Sequence, residues 1–188
     1  MTDGPARPFA LSADQQRLAA EVGALARDVL APLAAAGPPG RVNRPLVRAL
    51  GERGLVGRVL SGSAMELCLL REALATVSTE AETALALQGL GGHPIAVAGS
   101  APVRDRWLGQ VAAGRAVAAF ALSEPQAGSD AAALELRAEP DRDGFRLTGT
   151  KTWISNAPEA DVYALFARTT PDARAKGITA FVVPGDAP

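Results

Sequence analysis

The feature that most constrains this chain is a change of hydrophobic period near residue 115. Before it, apolar residues recur at helical spacing; after it, they alternate. Leu18, Val22, Leu25 and Val29 follow one another at steps of four, three and four, behind a capping-box pair, Ser12 and Gln15. The stripe predicts an amphipathic helix ending near Pro32 or by Gly37-Pro38-Pro39-Gly40. Asn43 caps a short second helix whose first turn accommodates Pro45. Ser63 and Glu66 form another capping box. The helix they open is apolar around most of its circumference (Met65, Leu67, Cys68, Leu69, Leu70, Ala73, Leu74, Val77), which predicts a central, largely buried element. A further helix is expected to Leu90, and a last one over 100–114.

Beyond residue 115 the pattern is that of strands. Ala116–Leu122 is an apolar run. Leu134–Ala138 and Phe145–Thr148 alternate around the turn Pro140–Gly144, and Asp161–Ala167 and Ile178–Val183 are apolar and rich in β-branched or aromatic residues. Helices first and strands second predict an α+β fold, with an all-α domain over 1–115 and an antiparallel β-domain over 116–188. A sheet ending at Val183 would expose an edge.

Composition narrows the function classes. With 48% hydrophobic and 21% charged residues and a net charge of −1 over 188 residues, the chain has the balance of a globular protein. That balance gives no footprint for nucleic acid or an anionic membrane. Cys68 is the only cysteine and reads as a buried structural thiol. His93 is the only histidine, so no metal site is expected. The first eight residues lack a signal-peptide layout, and no apolar stretch reaches membrane-spanning length, so a cytoplasmic location is expected. Arginine carries nearly all the positive charge; the only lysines are Lys151 and Lys176.

Two segments carry the candidate chemistry. The first strand runs into Phe120-Ala121-Leu122-Ser123-Glu124-Pro125-Gln126-Ala127-Gly128-Ser129-Asp130. Some two dozen residues later comes Thr150-Lys151-Thr152-Trp153-Ile154-Ser155-Asn156, read as a second polar-capped strand. Side by side, these ends would form an aromatic wall fringed with hydrogen-bond donors, suited to a planar redox ring. Taken alone, Ser123 and Ser129 are ordinary turn residues and Trp153 a core residue.

In tandem, the two segments resemble the acyl-CoA dehydrogenase family. Ala121 to Ala133 matches its signature, and Thr152-Trp153-Ile154-Ser155-Asn156 its second flavin-contacting segment; Leu50–Gly57 and Arg106-Trp107-Leu108 are weaker echoes. The resemblance implies three domains (helical, β, helical) enclosing FAD and an acyl-CoA thioester. A carboxylate removes the α-proton while the β-hydrogen leaves as hydride to the flavin. It further implies that Ser123 donates to the pyrimidine side of the ring and that Ser155 sits near N5. Trp153, with Ile154 beside it, packs on the isoalloxazine, and Phe120 and Leu122 wall it in. Ser129 meets the CoA portion, and Gly128 admits a close backbone approach. Glu124 is expected to be a structural turn carboxylate and Asp130 a turn cap.

By the same resemblance the catalytic base, the pocket helices and the segment gripping the FAD pyrophosphate belong to a C-terminal domain absent here. An electron-transfer acceptor and a homo- or hetero-oligomer are implied as partners. Two further readings stand beside it: a flavoenzyme of the same fold acting on acyl-carrier-protein thioesters or reacting with oxygen, and a non-catalytic interaction subunit.

Overall fold

A computed structural model describes residues 10–142 and 144–188. The amino-terminal octapeptide read above for targeting lies outside the described residues, as does Asp143 of the Pro140–Gly144 turn. Helix α1 (Ala13–Leu25) starts where the capping box places it. The Gln15 N–H donates to Ser12 Oγ (3.2 Å) and the Ser12 N–H to Gln15 Oε1 (2.8 Å). It continues through one π-helical turn, Ala26–Leu30, into α2 (Ala31–Ala35) and stops before Gly37. Asn43 caps α3 (Arg44–Glu52) by accepting from the Leu46 N–H, and donates back to the Leu33 carbonyl.

After α4 (Leu55–Ser61) come α5 (Ala64–Ala75), α6 (Thr79–Ala98) and α7 (Ala101–Ala112). Two expectations change here. Helix α5 buries one face only: Leu69, Leu70, Ala73 and Leu74 are inside, while Met65 and Cys68 are exposed. The Cys68 thiol is therefore not a core group. The apolar residues facing outward form an uncovered surface of the helix, not contact with a neighbouring one.

Helix α6 does not end at Leu90 but runs on through Gly91-Gly92-His93-Pro94. Gly91 is there because the helix lies directly on a strand. A Cβ on Gly91 would come within 2.8 Å of Ala118 Cβ and of the Ala119 nitrogen. Between them, α6 and its neighbours close a core of fully buried Leu30, Leu50, Leu70, Leu74 and Leu85 that reaches Ala118 and Val162 of the sheet.

Among the described residues the sheet has five strands: β1 (Ala118–Ala121), β2 (Arg137–Asp141), β3 (Gly144–Thr148), β4 (Val162–Arg168) and β5 (Ile178–Pro184). The β2–β3 hairpin and the β4–β5 pair are antiparallel, as expected. However, β1 pairs with β4 in parallel, Ala118 opposite Val162, and β2 meets β4 in parallel at Arg137 and Arg168. The sheet is mixed. A strand has two edges, and β5 occupies one along all of β4, so β1 and β2 follow each other along the other. The hairpin lies in the connection from β1 to β4, which lets β4 return in the direction of β1.

Candidate functional site

Where β1 gives way to β2, the ladder on that edge of β4 is interrupted, and a side chain fills the break. Glu124, 4% exposed, accepts from the backbone N–H groups of Glu135 (2.6 Å) and Leu136 (2.9 Å), just ahead of β2. This is why β2 begins at Arg137, later than the alternation at Leu134 suggested. The same carboxylate accepts from Gln126 Nε2 and from Lys151 Nζ, both at 2.8 Å. Lys151 also donates to the Leu122 carbonyl at 2.8 Å, and the Thr152 N–H to the Ser123 carbonyl at 2.9 Å. Two loops distant in sequence are thus fastened at one point, around an ion pair whose side chains are 7% and 1% exposed.

Burial pushes the Glu124 carboxyl up, but the Glu135 N–H, the Lys151 ammonium and the Leu136 N–H outweigh it and hold it below its ordinary value. A carboxylate so engaged is a strut, as the sequence indicated. A second strut stands at the other end of β1. Asp161 accepts from the Val117 N–H (2.7 Å) and from both terminal nitrogens of Arg44 (2.8 and 3.1 Å). Burial raises its carboxyl, and Arg44 with the Val117 N–H more than reverses the effect.

Beyond Lys151 the second segment is not a strand. It is a turn with Trp153 at φ +56° and Asn156 at φ +70°. Asn156 Nδ2 donates to the Ala118 carbonyl at 2.9 Å, anchoring the far side of the turn. Held at both ends, the turn presents the indole outward: Trp153 is 91% exposed. A left-handed, non-glycine residue with its largest apolar surface in solvent is unfavourable twice over, and such residues cluster at ligand sites. Beneath it Trp153 and Ile154 line a concavity of about 390 Å³ with Ala121, Tyr163 and Leu165.

The other candidates divide around this point. Ser123 is half-buried beside Leu122 at the end of β1, while Ser129 and Ser155 are exposed. Gly128 is exposed with open space where a Cβ would lie, so no described residue demands glycine there. Asp130 does not cap the following turn with its side chain; it pairs with Arg174 at 3.3 Å. Phe120 faces away from the concavity that its strand neighbour Ala121 lines, because successive residues of a strand face opposite sides. It packs on Phe166, ring centroids 5.0 Å apart, and lines a separate groove of about 670 Å³ along α6.

Three residues that hold the site escaped the sequence reading. Lys151 carried one signal, as one of two lysines in a chain that otherwise uses arginine. Asn156 stood in the second segment with no anchoring role assigned to it, and Gln88 carried no signal. Gln88, fully buried, donates to the Ala116 carbonyl (2.9 Å) and accepts from the Ala118 N–H (2.7 Å), tying α6 to β1. Among the described residues no cluster of three potential ligands could hold a metal, and no helix is long and apolar enough to cross a membrane.

Residues 12–115 match the family model for the acyl-CoA dehydrogenase N-terminal domain, and residues 119–188 the model for the middle domain. A Mycobacterium leprae protein named "Probable acyl-CoA dehydrogenase fadE25" is 40% identical over 119 residues, 63% of this chain and 31% of that protein. The crystal structure of glutaryl-CoA dehydrogenase from Mycobacterium smegmatis superposes with a TM-score of 0.82 at 34% identity, over 95% of this chain and 47% of that one. The FAD complex of PigA superposes at 0.85 and 29% identity, over 96% and 50%. The chain thus spans about half the length of these two structures, and the match to the mycobacterial protein covers 31% of it.

Proposed function

The chain belongs to the acyl-CoA dehydrogenase family, and from that premise we propose that it forms the flavin- and thioester-facing part of a FAD-dependent enzyme that desaturates an acyl-CoA between Cα and Cβ. One observation carries the proposal. The Trp153 indole stands uncovered on a strained turn that a buried ion pair fixes to the end of β1, with Ser155 two residues on and the Ser123 carbonyl accepting from the neighbouring Thr152 N–H. An exposed flat face bordered by hydroxyls fits a flat ring with a hydrogen-bonding edge, and the relative solved with FAD superposes over nearly all of this chain.

When bound, FAD supplies the two-electron acceptor for the β-hydrogen, taken as hydride. The chain's own residues orient and enclose. Trp153 and Ile154 cover one face of the ring and exclude water from it, while Leu122 bounds the adjoining space; Phe120, on the other side of the strand, faces the groove along α6 and not the ring. The Ser123 and Ser155 hydroxyls donate to the polar edge, favouring the state in which that edge carries more negative charge. Ser129 donates to the CoA portion of the thioester, and Gly128 leaves room for it. Glu124, buried and held by four donors, does not take the α-proton; the family resemblance assigns that proton to a carboxylate outside residues 1–188. The same reading divides the chain at 115/116 and includes an electron-transfer acceptor and an oligomeric assembly.

The visible absorption spectrum of the purified protein, before and after FAD and then an acyl-CoA, tests the proposal. The expected result is a protein-bound flavin spectrum; absence of flavin uptake in the protein that carries the base as well overturns it. Ser129→Ala should weaken the acyl-CoA and leave flavin affinity unchanged, measured by titrating each ligand separately. Equal weakening of both ligands removes Ser129 from the thioester site.

A further inference from the structure

The groove along α6 is largely apolar, lined by Val59, Leu67, Ala86, Leu87, Leu90 and Phe120, with Ser63 and His93 among its polar residues. Its charged pair is Arg71 of α5 and Glu82 of α6. The direction of the groove follows from α6. Gln88 touches Ala116 and Ala118, while Gly91 lies on Ala118 and Ala119, so later residues of α6 lie nearer Ser123. Glu82 is therefore at the end remote from Ser123. It lies eight residues before Leu90, about 12 Å at 1.5 Å per residue.

At that end Glu82, its side chain 13% exposed, accepts from Arg71 at 2.5 Å on Oε1 and from Thr83 Oγ1 at 3.3 Å on Oε2. Both carboxylate oxygens are engaged. Arg71 has five N–H donors, and its contacts to Glu82 use Nε and one terminal nitrogen. Its other terminal nitrogen bonds no described residue, and its side chain is half exposed. An alkyl end pressed against these N–H groups would strip their water and return no hydrogen bond, a cost that a neutral oxygen acceptor removes. A carboxylate fits less well, because Glu82 already supplies one negative charge to the same guanidinium.

Resting on the functional reading above, we propose that Arg71 selects acyl groups that carry a neutral oxygen acceptor, such as a hydroxyl or keto group, at the end remote from the thioester, and that Glu82 disfavours a carboxylate there. Arg71 and Glu82 are specificity-determining residues and take no part in the chemistry.

The test is calorimetric titration of the purified protein, supplied with FAD, with straight-chain CoA thioesters of increasing length in methyl-ended, ω-hydroxy and ω-carboxy forms. At the length that reaches Arg71, the hydroxy form should bind roughly tenfold more tightly than the methyl-ended form, about what one hydrogen bond to a charged donor contributes. Arg71→Met should erase that preference, and Glu82→Gln should tighten the carboxy form roughly tenfold. A wild-type protein without the preference at any length overturns the proposal, as does a preference that survives Arg71→Met. Failure to bind any of the thioesters overturns the functional reading itself, whereas binding without discrimination overturns only the role of Arg71.

Discussion

Lys151 and Trp153 stand two residues apart and reverse the usual placement of charge and hydrocarbon. The ammonium is 7% exposed and the indole 91%. The contrast separates two jobs within one turn. Lys151 works inward, closing on Glu124 and Leu122 so that the turn has one position relative to β1. Trp153 works outward and has no described partner to lose. Stability should therefore follow the first residue and ligand binding the second.

The largest effect should come from Lys151→Met. Removing one member of a buried pair leaves Glu124 without its counter-charge, which costs about 3–5 kcal/mol. Chemical denaturation of wild type and variant measures it directly. A loss below about 1 kcal/mol would mean that the pair does not fix the turn, and the contrast with Trp153 would disappear.

Gln88→Ala should rank next. It leaves the Ala118 N–H and the Ala116 carbonyl without their partner in a dry contact between α6 and β1, costing about 1–3 kcal/mol by the same measurement. A neutral buried anchor should thus matter less than a charged one. If Gln88→Ala proves the more damaging, the seam between helix and sheet holds the site more firmly than the ion pair does.

Acid sharpens the comparison further. The Glu124 carboxyl sits below its ordinary value of 4.5 in the folded protein, so the unfolded chain takes up its proton first as pH falls. Its contribution is complete above that value and is lost as pH drops through the folded-state value. In Lys151→Met the ammonium that favours the charged form is gone. The stability gap between wild type and Lys151→Met should accordingly narrow between pH 6 and pH 3. A gap that stays constant would mean that Lys151 acts through its bond to the Leu122 carbonyl and not through its charge.

The sequence revealed the half of this arrangement that rests on local chemistry. Ser12 with Gln15 and Asn43 mark helix starts because the cap lies within three residues of what it caps. The alternation at Phe145–Leu147 marks a hairpin strand for the same reason. What stayed hidden needed partners from far along the chain. Gly91 and Pro94 read as a helix end, yet α6 passes through them because β1 needs the space that Gly91 leaves. Trp153 read as part of a strand, whereas the bonds of Lys151 and Thr152 to Leu122 and Ser123, just past β1, and of Asn156 to Ala118 of β1 hold its segment as a turn. The parallel pairing of β1 with β4 depends on a connection no local pattern reports. The candidate residues themselves were legible as a motif; what positions them was not.

The smallest change in stability, and the most telling, belongs to Trp153. Trp153→Ala removes a side chain that contacts solvent, so the fold should change by no more than about 0.5 kcal/mol, while flavin uptake measured by absorbance should fall. Trp153→Gly goes further. At φ +56° glycine relieves the strain that any Cβ carries there, although its freer unfolded chain offsets part of that gain. The glycine variant should therefore be at least as stable as the alanine variant and equally poor in flavin. A turn that grows no less stable as it loses its ligand is one whose strain is retained for binding. Destabilisation of more than about 1 kcal/mol by either variant would show the indole packing within the chain, and the division of labour with Lys151 would fail.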